Sequence, residues 1–204
     1  MTAFVVTGTD TDIGKTVFAA GLTGLLNGYY WKPVQAGLAD GTDAATVAQL
    51  SSLPEDRILP EAYRLKTPCS PHTAAKIDGV EIDVDALALP PQRPLIVEGA
   101  GGALVPITDD FLFADLFARW GLPTIIVART RLGTINHSLL TIEALRARKV
   151  PVHGIAFIGE EEAEAEQTIC RIGDVKHLGR LPIVDDFQNF TAIFSQHFSA
   201  GDFA

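Results

Sequence analysis

The residues best suited to chemistry form one short run near the start of the chain, GTDTDIGKT, at positions 8 to 16. Glycine permits backbone conformations in which successive N–H groups point at the same phosphate oxygens. Lys15 would place a cation on the β- and γ-phosphates of a nucleotide, and the hydroxyl of Thr16 could ligate Mg²⁺. The run therefore predicts a phosphate-binding loop of the GxxxxGK[ST] type, with one residue more than the commonest spacing.

Three charged residues elsewhere in the chain are of the types that would complete such a site. Glu98 ends a predicted strand and could bind Mg²⁺ directly or through water, while Lys32, in another strand, could stabilise a transferring phosphoryl group. Asp43 begins a predicted helix and would be a third hard oxygen ligand beside Thr16 and Glu98. Each also has a simpler interpretation: a glycine-rich turn around Glu98, a solvated strand lysine, and a helix N-cap or first-turn acid.

These residues can act together only if the surrounding elements bring them to one edge of a sheet. Apolar strand-like runs alternate with helix-like segments along the whole chain. We predict strands at residues 3–7, 30–34, 95–98, 124–128, 152–158 and 176–181, and helices at residues 14–26, 43–51, 112–120, 134–148, 160–171 and 187–198. This order predicts a single α/β domain over residues 1–204, like the P-loop NTPases. Its doubly wound, mostly parallel sheet would carry helices on both faces and ligands at the carboxyl ends of the strands.

One segment, residues 53–79, lacks clear periodicity and is rich in Pro, Ser and Thr. We predict a long loop over one end of the sheet, of a length that is uncommon unless the loop helps to build a site. His72 would lie on this loop, where a supporting role is favoured over catalysis because no partner residue is evident.

Composition narrows the function classes further. The net charge of −9 argues against general binding of nucleic acid or anionic membranes. No apolar stretch approaches the roughly 20 residues that span a bilayer, and the initial sequence MTAF lacks the basic start of a secretory signal. Cys69 and Cys170 are the only cysteines and are far apart in sequence. We therefore expect structural thiols in a reducing cytoplasm rather than a disulfide scaffold or a zinc site.

Five motifs together resemble the dethiobiotin synthetase family in order and spacing. They are GTDTDIGKT at 8–16, KPVQAG at 32–37, SPH at 70–72, EGAGG at 98–102 and RLGTINH at 131–137. A later LGRLP at 178–182 is similar to that family's last nucleotide-contacting turn. The resemblance covers nearly the whole chain, and the combination of GTDTxxGKT with EGAGG is its most specific part.

The resemblance implies the synthesis of dethiobiotin from 7,8-diaminopelargonate, CO₂ and ATP, with Mg²⁺, by a cytoplasmic homodimer whose substrate sites lie at the subunit interface. One amine of the substrate becomes a carbamate, whose oxygen takes the γ-phosphoryl group. The second amine then attacks the mixed carbamic–phosphoric anhydride, which closes a cyclic urea and releases phosphate. ATP is needed because a carbamate oxygen is a poor leaving group, whereas phosphate is a good one.

The family's site residues carry over motif by motif. Catalytic roles fall to Lys15 and Lys32, on the phosphoryl group and the carbamate, and to Thr11, on the carbamate. The implied Mg²⁺ ligands are Thr16, Asp43 and Glu98. The implied nucleotide contacts are Asp12, Ile13, Gly14, Lys15, Thr16, Val17, Asp43, Glu98, Gly99, Ala100, Gly101, Ile158, Gly159, Pro182, Ile183 and Val184. The implied substrate contacts are Lys32, Ala36, Gly101 and, from the partner chain, Gly133, Thr134 and Asn136.

Two positions depart from the family's pattern. Ala36 stands where relatives commonly carry a Ser or Thr hydroxyl near the substrate, so Lys32 and backbone amides would have to suffice there. Ile158 and Gly159 stand where relatives tend to carry an Asn that reads the nucleobase. We therefore expect the base to be read mostly by shape and backbone contacts.

Two other interpretations remain open at this point. An ATP-dependent amidoligase of the cobyrinic-acid type usually carries a glutaminase domain, which 204 residues cannot hold. A ParA-like ATPase switch generally has a second lysine early in its phosphate-binding loop, and residues 9–13 contain none. Such a switch would act by binding a partner and would release phosphate whether or not a diamine is present.

Overall fold

A parallel β-sheet forms the centre of the computed structural model, which describes residues 2–203. Within these residues the strands are β1 (Ala3–Gly8), β2 (Tyr29–Trp31), β3 (Val34–Ala36), β4 (Ile58–Leu59), β5 (Tyr63–Leu65), β6 (Leu95–Gly102), β7 (Thr124–Arg129), β8 (Val152–Ile158) and β9 (His177–Leu181). Seven of them form one sheet in the order β4-β2-β6-β1-β7-β8-β9, whereas β3 and β5 pair separately. All neighbouring strands are parallel, which confirms the predicted sheet. Met1 and Ala204, the ends of the predicted domain, lie outside the described residues.

Helices cover both faces of this sheet, as predicted. They are α1 (Lys15–Leu25), α2 (Asp43–Ser51), α3 (Pro71–Asp78), α4 (Phe113–Trp120), α5 (Thr134–Ala147), α6 (Ala163–Gly173) and α7 (Phe190–His197). Successive side chains of β1 point to opposite faces of the sheet, so Val5 belongs to the apolar core that includes residues of α3 to α6, whereas Phe4 and Val6 belong to the core with α1, α2 and α7. Within residues 2–203, none of these helices is long and apolar enough to cross a bilayer.

The strand predicted at residues 30–34 is wrong in extent. β2 ends at Trp31, and the chain resumes an extended course at Val34 in the small sheet. Pro33 explains the break, because it has no N–H for a sheet ladder, and its carbonyl instead accepts from Tyr63 N at 3.1 Å. Lys32 nevertheless lies at the carboxyl end of β2, and only 3 % of it is exposed, so it is not a solvated strand lysine.

The segment 53–79 is not the long loop that its composition predicts. It contains β4, β5 and α3, and His72 consequently lies in the first turn of a helix. Pro71 at the start of α3 and Gly79 after its end, with φ 67°, delimit this helix. The segment shows weak periodicity because its elements, of two, three and eight residues, are too short to repeat a pattern clearly.

β6 is longer than predicted and carries the whole EGAGG motif. Glu98 lies inside this strand rather than at its end, so the motif is not a turn. β6 pairs with β1 on one side and β2 on the other, so that Val97 lies opposite Val5 and Trp31. The pairing with β1 continues to the start of the phosphate-binding loop, where Gly102 lies opposite Gly8. Two helices also begin later than predicted, α6 at Ala163 rather than 160 and α7 at Phe190 rather than 187.

Candidate functional site

The phosphate-binding loop joins β1 to α1 through a turn that depends on glycine. Gly14, directly before α1, has φ 91°, a left-handed conformation that favours glycine. A Cβ added to Gly14 would lie 2.6 Å from Cδ1 of Ile158, and one added to Gly8 would lie 2.8 Å from Cδ1 of Ile13. The loop is therefore closely packed from both sides, and the free N–H groups at the start of α1 face it.

Asp10 holds the conformation of this loop through three oxygen atoms. Oδ1 accepts from Thr11 N at 2.8 Å, and Oδ2 accepts from Nη2 of Arg129 at 2.9 Å. The backbone oxygen of Asp10 accepts from Nζ of Lys15 at 2.8 Å. The hydrogen bond from Thr11, with a further contribution from the Arg129 guanidinium, holds the pKa of Asp10 below its ordinary value.

Lys15 is a buried cation at the floor of the loop. Only 7 % of the residue is exposed, and burial lowers the pKa of its ammonium to about 8, although the nearby carboxylate of Glu98 opposes the shift. A lysine with such a pKa is still mostly charged at neutral pH, so Lys15 presents a poorly solvated positive charge to any anion in the loop.

Thr16, Asp43 and Glu98 converge from three different elements. Oγ1 of Thr16, in the first turn of α1, lies 2.8 Å from Oδ1 of Asp43 and 2.9 Å from Oε1 of Glu98. Asp43 is not the N-cap of α2, because Thr42 takes that position and accepts from Ala45 N at 3.1 Å. Asp43 is therefore free to face the site.

This set of oxygens fits Mg²⁺. The ion is usually bound in proteins by one or two carboxylates, with substrate phosphates and waters completing its shell. Two carboxylates and one hydroxyl converge here, and among residues 2–203 no group of three His, Cys, Asp or Glu side chains forms a metal site. Burial alone would raise the pKa of Asp43, but the Lys32 ammonium, the hydrogen bond from Thr16 and the charge of Lys15 together lower it below its ordinary value, which suits the role.

Lys32 supplies a positive charge to the acidic cluster, the name used below for Thr16, Asp43 and Glu98. Its Nζ lies 2.7 Å from Oδ2 of Asp43 and 3.0 Å from Oε1 of Glu98, and it donates to the carbonyl of Gly99 at 3.0 Å. Burial favours the neutral amine, but the two carboxylates outweigh this effect and raise the pKa of Lys32 above its ordinary value. A lysine held charged in this way has no lone pair to act as a base, so its chemical capacity is to neutralise negative charge.

A cavity of about 740 Å³ opens onto the loop and the acidic cluster. Such a volume is typical of small-molecule sites. The predicted residues that line it are Thr11, Asp12, Ile13, Gly14, Lys15, Thr16, Val17, Lys32, Ala36, Asp43, Glu98, Ala100 and Gly101. Residues 68–71 form another wall, so the segment 53–79 does contribute to this cavity, although not as a single loop. Gly99 does not line this cavity, but its carbonyl accepts a hydrogen bond from Lys32.

Five of the residues predicted to contact the nucleotide, including the two at the predicted nucleobase position, do not line this cavity. Ile158 ends β8 and packs against Gly14, and Gly159 N donates to the carbonyl of Leu181 at 3.0 Å. This hydrogen bond places the residues that follow β9, Pro182, Ile183 and Val184, close to Gly159. None of these five residues carries an amide side chain, so polar recognition of a base by them would rely on backbone groups.

The structure does not bring the remaining predicted residues to the acidic cluster. Gly133, Thr134 and Asn136 lie at the start of α5 and line neither the large cavity nor a second one of about 430 Å³. This second cavity lies between the phosphate-binding loop and α5. Leu104 and Leu140 border it and are 51 % and 56 % exposed.

Comparison with known proteins assigns the chain to a family. A family model described as an AAA domain matches residues 2–191. The ATP-dependent dethiobiotin synthetase BioD of Rhizorhabdus wittichii is 65 % identical over 205 residues, which cover 99 % of this chain and 98 % of that protein. The protein of the same name in Novosphingobium aromaticivorans is 60 % identical over 206 residues and covers 100 % of both chains. The chain belongs to the dethiobiotin synthetase family.

Solved structures with little sequence similarity to this member of the dethiobiotin synthetase family share its fold. A ParA family ATPase from Chlorobium tepidum has a TM-score of 0.58 at 12 % identity and covers 97 % of this chain and 90 % of its own. The MinC:MinD cell division complex of Aquifex aeolicus gives 0.55 at 12 % identity, covering 96 % and 86 %. These matches confirm the P-loop NTPase-like fold alone. The much higher full-length identity to dethiobiotin synthetases decides the family against the ParA-like and amidoligase alternatives.

The sequence does not predict two residues that hold the acids of this dethiobiotin synthetase-family site. The Tyr30 hydroxyl donates to Oε2 of Glu98 at 2.8 Å, and Oε1 of Gln35 accepts from Asp43 N at 3.1 Å. A signal exists for Tyr30, which precedes Lys32 by two residues and therefore shares its face of an extended chain. Gln35 lies within the KPVQAG motif, but the motif does not reveal which residue its amide would contact.

Arg129 is a third residue that the sequence does not predict. It ends β7, next to β1 in the sheet, and binds the carboxylate of Asp10 in the phosphate-binding loop. Arg129 could have been inferred from its position at the carboxyl end of a predicted strand, because those strand ends meet at the ligand-binding edge of the sheet.

Proposed function

We propose that the chain catalyses the ATP-dependent carboxylation and ring closure of 7,8-diaminopelargonate with CO₂, giving dethiobiotin, ADP and phosphate. Membership of the family supports this activity. The structural observation that carries it is the buried ammonium of Lys32, held between Asp43 and Glu98 in the same cavity that the phosphate-binding loop lines. The reaction needs its amines oriented and its anions neutralised, and this cavity offers cations and backbone amides for that purpose.

Three bond-forming steps complete the reaction. One amine nitrogen of the diamine forms a bond to the carbon of CO₂ and loses a proton, which gives a carbamate. A carbamate oxygen then forms a bond to the γ-phosphorus as the bond from that phosphorus to the β–γ bridging oxygen breaks, and ADP leaves. Finally the second amine forms a bond to the carbamoyl carbon and loses a proton, the carbon–oxygen bond to phosphate breaks, and the cyclic urea closes.

The charge of each residue in the site suggests which of these steps it would assist. Lys15 and Lys32 would neutralise the transferring phosphoryl group and the carbamate, and Thr11 would donate a hydrogen bond to the carbamate. The backbone of residues 12–17 would bind the triphosphate, while Thr16, Asp43 and Glu98 would hold Mg²⁺. When bound, Mg²⁺ supplies positive charge to the β- and γ-phosphate oxygens and fixes their orientation.

We further infer a single-domain, cytoplasmic enzyme that acts as a homodimer. The exposed apolar side chains of Leu104, Leu132 and Leu140 support the dimer, because α5 and its neighbouring loops then gain a partner surface. Gly133, Thr134 and Asn136 would offer N–H groups at the start of α5 to the carboxylate of a substrate bound by the partner subunit. This arrangement accounts for their distance from the acidic cluster of their own chain.

A single incubation tests the proposed activity. The protein is mixed with ATP, Mg²⁺, bicarbonate and 7,8-diaminopelargonate, and dethiobiotin is sought by mass spectrometry. We expect ADP, phosphate and dethiobiotin in equal amounts. Phosphate release that is the same with and without the diamine, and that yields no dethiobiotin, would instead support an ATPase switch.

Nucleotide binding is expected to weaken as the pH rises through about 8. Burial lowers the pKa of Lys15 to about 8, so its charge is present below that pH and is lost above it. Because kcat/KM reports the ionisation of the free enzyme, its value for ATP should fall by up to about ten-fold per pH unit above pH 8. Lys15→Arg is the control, since a guanidinium keeps its charge throughout this range and should abolish the decline whatever its absolute rate.

GTP, CTP and UTP are expected to support ring closure better here than in relatives that keep an Asn at the position of Ile158. The triphosphate and Mg²⁺ contacts are common to all four nucleotides, and apolar contact with a base discriminates only modestly. The measurement is kcat/KM for each nucleotide at saturating diamine. An ATP preference above about a thousand-fold would show that another group reads the base. The variant Ile158→Asn provides the comparison within one chain and should sharpen the preference for ATP.

A further inference from the structure

The hydroxyl of Tyr30 is a buried polar group that the three bond-forming steps do not use. Tyr30 lies on β2, is 0 % exposed, and packs in the core formed with α1, α2 and α7. A buried phenol usually keeps a hydrogen-bond partner, and here the partner is Oε2 of Glu98 at 2.8 Å. The hydroxyl therefore contacts a predicted metal ligand, although Tyr30 does not itself line the cavity.

The two carboxylate oxygens of Glu98 have different partners. Oε1 lies 2.9 Å from Oγ1 of Thr16 and 3.0 Å from Nζ of Lys32, whereas Oε2 is bound by Tyr30. An ionised carboxylate can only accept hydrogen bonds, so Tyr30 is the donor. This hydrogen bond sets the rotation of the carboxylate about its terminal bond and leaves Oε1 directed at Thr16.

Lys32 cannot hold Glu98 in this way throughout the reaction. Its ammonium has three donors, and they already face Asp43, Glu98 and the carbonyl of Gly99. If Lys32 moves toward the carbamate, it has to give up at least one of these contacts. The proposed steps do not require Tyr30 to leave Glu98. Its position is set by the pairing of β2 with β6, in which Tyr30 lies opposite Ile96.

We propose that Tyr30 is a positioning residue that orients Glu98 as a ligand of the divalent cation bound with the nucleotide. The proposal rests on the proposed function only in requiring an enzyme that binds Mg²⁺ and a nucleotide together. Outer partners of metal ligands commonly change metal affinity by about ten- to a hundred-fold, because they fix the orientation of the ligand and its basicity. Tyr30→Phe removes the donor and keeps the ring.

The test compares nucleotide binding with and without metal. The dissociation constant of β,γ-methylene ATP is measured by calorimetry once in Mg²⁺ and once in EDTA, and the ratio gives the gain in affinity that the metal supplies. We expect Tyr30→Phe to reduce this gain by about ten-fold or more, with little change in the EDTA value. Tyr63→Phe is the matched control and should keep the full gain. Tyr63 lies on β5, outside the site, where its hydroxyl accepts from Asp83 N at 2.9 Å.

Three results would overturn the proposal. The first is a gain in Tyr30→Phe that equals that of the unmodified protein. The second is an equal loss of affinity in Mg²⁺ and in EDTA, which would indicate a structural role for Tyr30. The third is the absence of any metal-dependent gain in the unmodified protein. If Tyr30→Phe is too unstable to purify, the single variant Glu98→Gln is compared with the double variant Tyr30→Phe/Glu98→Gln. Neither of these variants buries an unpartnered carboxylate at position 98. The proposal expects equal gains in these two variants, and a further loss in the double variant contradicts it. Failure to form dethiobiotin would contradict the proposed function alone, because this binding measurement needs no turnover.

Discussion

Lys32→Gln is expected to turn over at least about ten-fold more slowly than the unmodified protein at saturating substrates, equivalent to about 1.4 kcal/mol in barrier height. Glutamine can still donate hydrogen bonds, but it carries no charge to neutralise the carbamate and the transferring phosphoryl group. Lys76→Gln is the control, because Lys76 lies on the exposed surface, where it pairs with Asp109. Its turnover should equal that of the unmodified protein.

Lys32→Gln is also expected to have a lower free energy of unfolding than the unmodified protein. This loss of stability has to be separated from the loss of turnover. Without the ammonium, Glu98 and Asp43 lose their shared counter-charge, and removing one partner of a buried ion pair costs about 3–5 kcal/mol of the free energy of unfolding. Turnover is therefore expressed per folded molecule, with the folded fraction taken from a urea titration under assay conditions. A Lys32→Gln enzyme with undiminished turnover would remove this residue from the mechanism.

Replacing Phe194 with Ala is expected to lower the free energy of unfolding by about 3–5 kcal/mol. Phe194 is fully buried on α7, its ring stacks on Phe198 with centroids 4.4 Å apart, and it meets Phe18 edge-on at 5.5 Å. A Cβ added to Gly21 would lie 2.1 Å from Cδ2 of Phe194, so the ring occupies the space that this glycine leaves on α1. Truncation would leave a cavity between α1 and α7 that the surrounding helices cannot easily close.

Phe187→Ala is the matched control for this loss. Phe187 precedes α7 and is 40 % exposed, so its truncation should cost less than about 1 kcal/mol. The free energy of unfolding of both variants is measured by urea titration. The values are compared directly when the free energy depends on urea concentration equally in both variants. Similar losses in the two variants would show that the contact between α1 and α7 contributes little to the stability of the fold.

The sequence predicts much of the candidate site because its residues follow strands or begin helices. Lys15 and Thr16 are set by the phosphate-binding loop, whereas Glu98 lies in β6 and Lys32 directly follows β2, the neighbour of β6 in the sheet. A parallel arrangement brings such positions to one edge whatever the detailed packing. For this reason the convergence of Thr16 with Glu98 within hydrogen-bonding distance agrees with expectation, although nothing local to either residue specifies it.

The hydrogen bonds behind the site could not be predicted in the same way. The bond from Tyr30 to Glu98 depends on the register in which Trp31 lies opposite Val97, and a slip of one residue would turn Tyr30 to the other face. The break at Pro33 could have been foreseen, because proline cannot donate to a central ladder. The elements in residues 53–79 could not, because strands of two and three residues form only against a partner that is distant in sequence, β2 for β4 and β3 for β5.

The order of the strands has a consequence for how this protein can change over evolutionary time. Lys32 and the phosphate-binding loop follow β2 and β1, and Glu98 lies within β6, three neighbours inside the sheet, whereas Pro182, Ile183 and Val184, predicted to contact the nucleotide, follow β9 at its edge. Substitutions and insertions after marginal strands disturb fewer packed neighbours than those in the centre. We therefore expect the nucleotide contacts after β9 to vary between lineages more readily than the residues of the acidic cluster.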